Sequence, residues 1–208
     1  MILLAALPDL LTAAGFLLIW MRPDLTGPGW VGTGVATLLM EFLVVHSSGF
    51  YAVIYYGDGP RRKRALMLMG LASLYLLLLC GFAAGLHAWW MVGAFFWLSF
   101  GKALSLWTAK GSPDAGVSQG IAIGAWALSV AVYLFAVALS AMLVWPRLGV
   151  TPAVQAATGL DPDGGVWEAQ PWAALAGGAV YFSLLGLLRT LLRLVVRRKM
   201  GAGQAAAV

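Results

Sequence analysis

Long apolar runs broken by short charged or Pro/Gly-rich stretches recur from one end of the chain to the other. Cutting at the breaks leaves six segments, near residues 2–21, 31–56, 65–86, 89–108, 117–144 and 172–195. Each matches the ~20 residues that cross a hydrocarbon core of about 30 Å, so each predicts a transmembrane helix. The one long connection is the outer loop 146–171, PRLGVTPAVQAATGLDPDGGVWEAQP. There Thr151 before Pro152 predicts an N-cap and N1 pair, Gly159 closes a short helix over VQAAT, and DPDGG reads as a turn. The expected fold is all-α: a polytopic integral membrane protein whose residues 1–208 form a single six-helix transmembrane bundle.

Composition agrees: 62% of the 208 residues are hydrophobic and 10% charged, against about 25% charged in soluble domains. The start, MILLAALPDLLTAAGFLLIW, lacks the basic region and the small-residue cleavage site of a secretory signal, and reads as a retained first span. Charge then orients the bundle. Arg61, Arg62, Lys63, Arg64, Lys102, Lys110, Arg189, Arg193, Arg197, Arg198 and Lys199 are eleven of the thirteen basic residues and fall on one side, leaving Arg22 and Arg147 on the other. By the positive-inside rule the basic side is cytoplasmic, with both termini inside, as in a bacterial inner (plasma) membrane. Trp20, Trp30, Trp89, Trp90, Trp145, Trp167 and Trp172 independently mark the outer interface and Trp107 the inner one.

Polar residues inside the spans are the candidate chemistry. The stretch MEFLVVHSSGF, residues 40–50, places an acid, an imidazole and two hydroxyls in a second span that is otherwise oily. At 1.5 Å per residue, Glu41 lies about 3 Å outward and His46 about 4.5 Å inward of that span's middle. Asp9 and Lys102 lie about 4 and 6 Å inward of theirs. An Asp9–Lys102 ion pair flanked by His46 would reduce the cost of holding charge at that depth. Two simpler readings stay open: Lys102 snorkels to the cytoplasmic surface, and Pro8 opens a shorter helix behind an interfacial leader. Thr37, Glu41, Ser48 and Tyr55 share a narrow helical stripe with Gly34, whereas His46 points about 140° away. That stripe is either a proton- or ion-conducting seam or structural glue built on a protonated Glu41.

Several chemistries lack their residues. His46 and His87 stand too far apart in depth to share a haem, and His87 reads as an interfacial residue beside Trp89 and Trp90. Cys80 is the lone cysteine, and neither HExxH nor a Cys/His cluster occurs. Asp161, Asp163 and Glu168 do not match the EF-hand spacing. No cofactor or metal is therefore expected, an enzyme is disfavoured, and nucleic acid is not expected as a partner. Gly116, Gly120 and Gly124, like Gly81 and Gly85, form small-residue faces that serve packing within one bundle or a homo-oligomer. The rim of Arg61, Arg62, Lys63, Arg64, Arg193 and Arg197 sets topology, or recruits anionic lipids or a membrane-complex partner. Two functions follow: a channel or transporter for protons or small ions built on Glu41, His46, Asp9 and Lys102, or a non-catalytic membrane subunit or scaffold.

Overall fold

The computed structural model describes the backbone of residues 2–108 and 115–205, and the side chains of residues 6–108, 119–191 and 194. Among these residues the regular elements are all helices. They are α1 (Ile2–Met21), α2 (Pro23–Thr26), α3 (Gly29–Tyr56), α4 (Arg61–Gly85), α5 (Trp90–Thr108), α6 (Ala115–Met142), α7 (Pro152–Ala156), α8 (Val166–Ala169) and α9 (Pro171–Ala205). Within them Gly29–Tyr56, Arg61–Gly85, Gln119–Met142 and Pro171–Leu191 are long and apolar enough to cross a membrane, which makes this an all-helical membrane protein. Segment α5 is less apolar because its 19 residues include Trp90, Trp97, Trp107 and Lys102. In α1 the part with described side chains, Ala6–Met21, is a further apolar helix. The shorter first helix opened by Pro8 is not what forms: α1 runs through Pro8 from Ile2, and Thr12 Oγ1 donates to the Pro8 carbonyl at 2.8 Å.

The chain divides into two compact units, residues 1–34 with 134–208, and residues 35–133. In the first unit α1 buries Ala6, Asp9, Ala13, Phe16 and Trp20, the alternating three-and-four spacing of a helix–helix seam. Its partner is α9, and contacts run in opposite directions along the two helices. Phe16 stacks on Phe182 at 5.6 Å between ring centroids, while Asp9 meets Arg189. The helices approach closely because α9 is glycine-lined: a Cβ on Gly178 would fall on the Phe16 ring, and one on Gly186 would lie 3.1 Å from Leu10 Cδ2. From Trp172 to Ala176 α9 is buried on every side, so it carries no polar face there.

The long loop of this unit, between α6 and α9, is folded. Thr151 caps α7 by accepting from the Val154 amide at 3.3 Å, and Gly159 takes the left-handed conformation at φ 75°. The Asp161 side chain accepts from the Asp163 amide at 3.0 Å, making an Asx turn of DPDGG. Trp20 Nε1 donates to the Pro146 carbonyl at 3.0 Å, and the Gly149 amide donates back to the Trp20 carbonyl at 3.1 Å. Only glycine fits at 149, since a Cβ would lie 2.5 Å from the Met21 carbonyl oxygen. The Arg147 guanidinium covers the Trp172 ring at 4.1 Å.

In the second unit α4 buries Leu68, Ala72, Tyr75 and Leu79 against Met91, Phe95, Ser99 and Ala103 of α5, with Leu43 and Tyr51 of α3 completing the core. The α4–α5 turn ends α4 with two crossed bonds, Ala88 N–H to Ala83 O at 2.9 Å and His87 N–H to Ala84 O at 3.5 Å. This cap needs a left-handed residue at position 87, and His87 supplies it at φ 51° with its ring exposed.

Candidate functional site

Asp9 is held by Arg189, whose Nη1 donates to both carboxylate oxygens at 2.7 and 2.9 Å. The acid's side chain is 9% exposed and the guanidinium's 46%. Helix direction explains the meeting. Side chains tilt toward their own helix N-terminus, so in an antiparallel pair Asp9 and Arg189 lean toward each other, and a long arginine covers the remaining gap. Asp9 thus pairs with Arg189, and not with Lys102 as depth alone predicts. In the sequence Arg189 looks like one more of the charges that end the last helix, although it stands seven residues beyond Phe182 just as Asp9 stands seven before Phe16.

In the second unit the α3 stripe is bordered by α6. Trp126 Nε1 donates to the Val45 carbonyl at 3.0 Å, and the buried Tyr133 hydroxyl donates to the Leu38 carbonyl at 2.9 Å. The two donors are seven residues apart on α6 and the two acceptors seven apart on α3, in opposite order. A single antiparallel register therefore satisfies both. Gly49 makes room for the indole: a Cβ there would lie 2.5 Å from Trp126 Cε2.

Thr37, Glu41, Ser48 and Tyr55 are all half-buried. Ser48 Oγ donates to Val45 O at 2.8 Å, the carbonyl that also receives Trp126, while Tyr55 OH lies 3.4 Å from Ser105 Oγ. Thr37 and Glu41 each have partners as well, and the Glu41 carboxyl interacts electrostatically with the Tyr133 phenol. Sequence reading missed Trp126 and Tyr133 because each looks like one more aromatic in an apolar helix.

His46 turns to α4, where its Nδ1 lies 2.6 Å from Tyr75 OH. Phe42 and Phe50, one turn to either side on α3, pack on the imidazole at 5.8 and 5.6 Å. Lys102 places Nζ 5.0 Å from the Tyr51 ring centroid, and the Tyr51 hydroxyl lies 3.0 Å from Ser99 Oγ, one helical turn before Lys102. Arg189, Tyr75 and Tyr51 are thus the unforeseen partners of Asp9, His46 and Lys102, each within its own unit.

At the basic rim Arg64 Nη1 donates to the Tyr55 carbonyl at 2.6 Å, and Arg62 Cζ lies over the Trp107 ring, 5.4 Å from its centroid. Lys63 is exposed, and Arg61 is half-buried with a partner. Arg193 and Arg197 lie outside the described side chains, and Lys110 outside the described residues. At the start of α2, Arg22 Nη2 pairs with Asp24 at 2.9 Å, and the hydrogen bond from Arg22 holds the exposed Asp24 carboxyl below the usual carboxylate range. Carboxylates, imidazole and thiol do not gather into a metal-binding group of three among the described residues. No protein-family model, curated protein or solved structure matches this chain.

Proposed function

We propose that this protein is a non-catalytic subunit or scaffold of the bacterial inner membrane, with six spans and both termini cytoplasmic, whose intramembrane polar groups lock its helices in register. The observation that carries the reading is the α3–α6 seam, where Trp126 and Tyr133 spend their donors on α3 carbonyls alongside the Glu41 stripe. Indole and phenol ring area filling that border favours a closed seam over a wet one. The Asp9–Arg189 pair supports the same role, because in lipid such contacts replace the hydrophobic force that joins helices in water. The eleven-to-two distribution of basic residues supports the orientation.

A second reading, proton or small-ion transport, is favoured by one arrangement. His46 and Tyr75 share a hydrogen bond at 2.6 Å inside the same unit that carries Glu41 and Lys102, and imidazole and phenol both relay protons. Reconstitution into liposomes separates the two. The scaffold reading expects no proton flux above that of empty vesicles, and the same melting temperature in Glu41→Gln as in the wild type. Flux carried by the wild type and abolished by Glu41→Gln, with stability kept, would establish transport instead.

A further inference from the structure

Below the basic rim, α4 and α5 leave a groove. Its floor is two buried alanines, Ala65 at 2% exposure and Ala103 at 5%. Met69, Phe100, Leu104 and Trp107 wall it, enclosing about 160 Å³. The dent exists because small floor residues lie between large wall residues. Its apolar lining suits a segment of one hydrocarbon chain.

The charge at its mouth selects what that chain belongs to. Arg62 places Cζ 5.4 Å from the Trp107 ring centroid, a cation–π contact that uses none of the guanidinium N–H donors, which suit an oxyanion. Among the described residues Arg62 has no carboxylate partner, and Lys63 beside it is exposed. Both stand in the first turn of the 25-residue α4, which begins after Pro60 without a side-chain cap, so the helix dipole adds to the positive potential. Asp58, exposed on the preceding loop, is the only acid described near this rim. From Ala65 to Met69 the groove descends about 6 Å along α4, which is where an acyl chain enters when its phosphate rests at the helix start.

We propose that this groove holds one anionic phospholipid, its phosphodiester on Arg62 and Lys63 and one acyl chain over Ala65 and Ala103. A zwitterionic lipid carries its own cation to this basic mouth, and a second copy of the chain would bring another basic rim against it. Anionic phospholipid is therefore the favoured occupant. The assignment stands on the α4–α5 geometry and is independent of the helix-locking role. In a bilayer of symmetric composition it is also independent of which way the protein faces.

The test is native mass spectrometry of the full chain, released from vesicles of equal phosphatidylglycerol and phosphatidylcholine. The wild type should retain one phosphatidylglycerol, and Arg62→Gln should weaken that retention about fivefold, the effect of about one surface cation. Ala103→Leu, which leaves the charge unchanged, should abolish retention by filling the floor. Leu66→Trp, on the rim of the groove at a 65% exposed position, should weaken it without entering the packed interface, and serves where Ala103→Leu does not fold. The proposal is overturned if phosphatidylcholine is held equally well or if no lipid is retained. It is also overturned if neither groove variant changes retention while Arg62→Gln does, which leaves a diffuse basic rim. A dimer dispersed by Ala103→Leu would assign the groove to a second copy and overturn it too.

Discussion

Replacing Arg189 with methionine keeps the length and apolar stem of the side chain and removes the cation from Asp9. The carboxylate is 9% exposed and accepts two charge-assisted bonds, so without Arg189 it stands as an unpaired acid in a dry seam. Removing one partner of a buried ion pair costs about 3–5 kcal/mol, and the 46% exposure of Arg189 places this pair toward the lower figure, about 3 kcal/mol. The reciprocal change is milder. Asp9→Asn keeps a carbonyl acceptor for Arg189 and leaves a half-exposed guanidinium that can turn toward the aqueous interface, at a cost of about 1 kcal/mol. The double variant should recover about 2 kcal/mol of the Arg189→Met loss, because no charge is then left unpaired. Urea or thermal unfolding in mild detergent, read by tryptophan fluorescence, gives the cycle. Strictly additive effects, or Asp9→Asn proving more harmful than Arg189→Met, would show that Arg189 does not neutralise a buried Asp9 carboxylate.

Gly49→Ala should drive the Trp126 indole off Val45 and cost about 1–3 kcal/mol, seen as a lower melting temperature, while Gly70→Ala, where a Cβ meets open space, should not. Tyr133→Phe keeps the ring and loses the bond to Leu38 O, for about 1 kcal/mol in the same assay. His87→Gly should raise stability by about 1 kcal/mol, because glycine takes the left-handed cap without strain. The depressed Asp24 carboxyl contributes stability above its unfolded value of about 3.9, and that contribution is lost as pH falls through the lower folded value. Carboxyl NMR should accordingly show Asp24 titrating below the usual range, and Arg22→Gln should return it toward that range and remove its small contribution at pH 7, while stability well below the folded value stays the same.

Periodicity and breakers made the helices legible. The apolar segments became α1, α3, α4, α5, α6 and α9 with ends displaced by a few residues, apart from the longer C-terminal run of α9. The α7 cap followed from Thr151, Pro152 and Gly159, whose local chemistry suffices. Pairing was much less legible. Depth along a helix placed Asp9 at a buried level, but the azimuth of each helix about its neighbours decides the partner, and that depends on glycine positions such as Gly178 and Gly186. The seven-residue recurrences that tie Asp9 to Phe16, Phe182 to Arg189 and Trp126 to Tyr133 were present in the chain. They carry meaning only once the antiparallel neighbour is known. Tyr75 as the partner of His46 left no trace, because a buried tyrosine at core spacing reads as packing.

Water access along the α3 stripe distinguishes a closed helix seam from an aqueous path. With Cys80→Ala as background, single cysteines at Thr37, Glu41, Ser48 and Tyr55 are exposed to charged thiosulfonates from each side of sealed vesicles. A seam closed by Trp126 and Tyr133 predicts that positions 37, 41 and 48 stay unmodified from both sides, with reaction confined to position 55 at the helix end. Modification running unbroken from 55 through 48 to 41 would contradict the helix-locking account and reveal an aqueous path to Glu41.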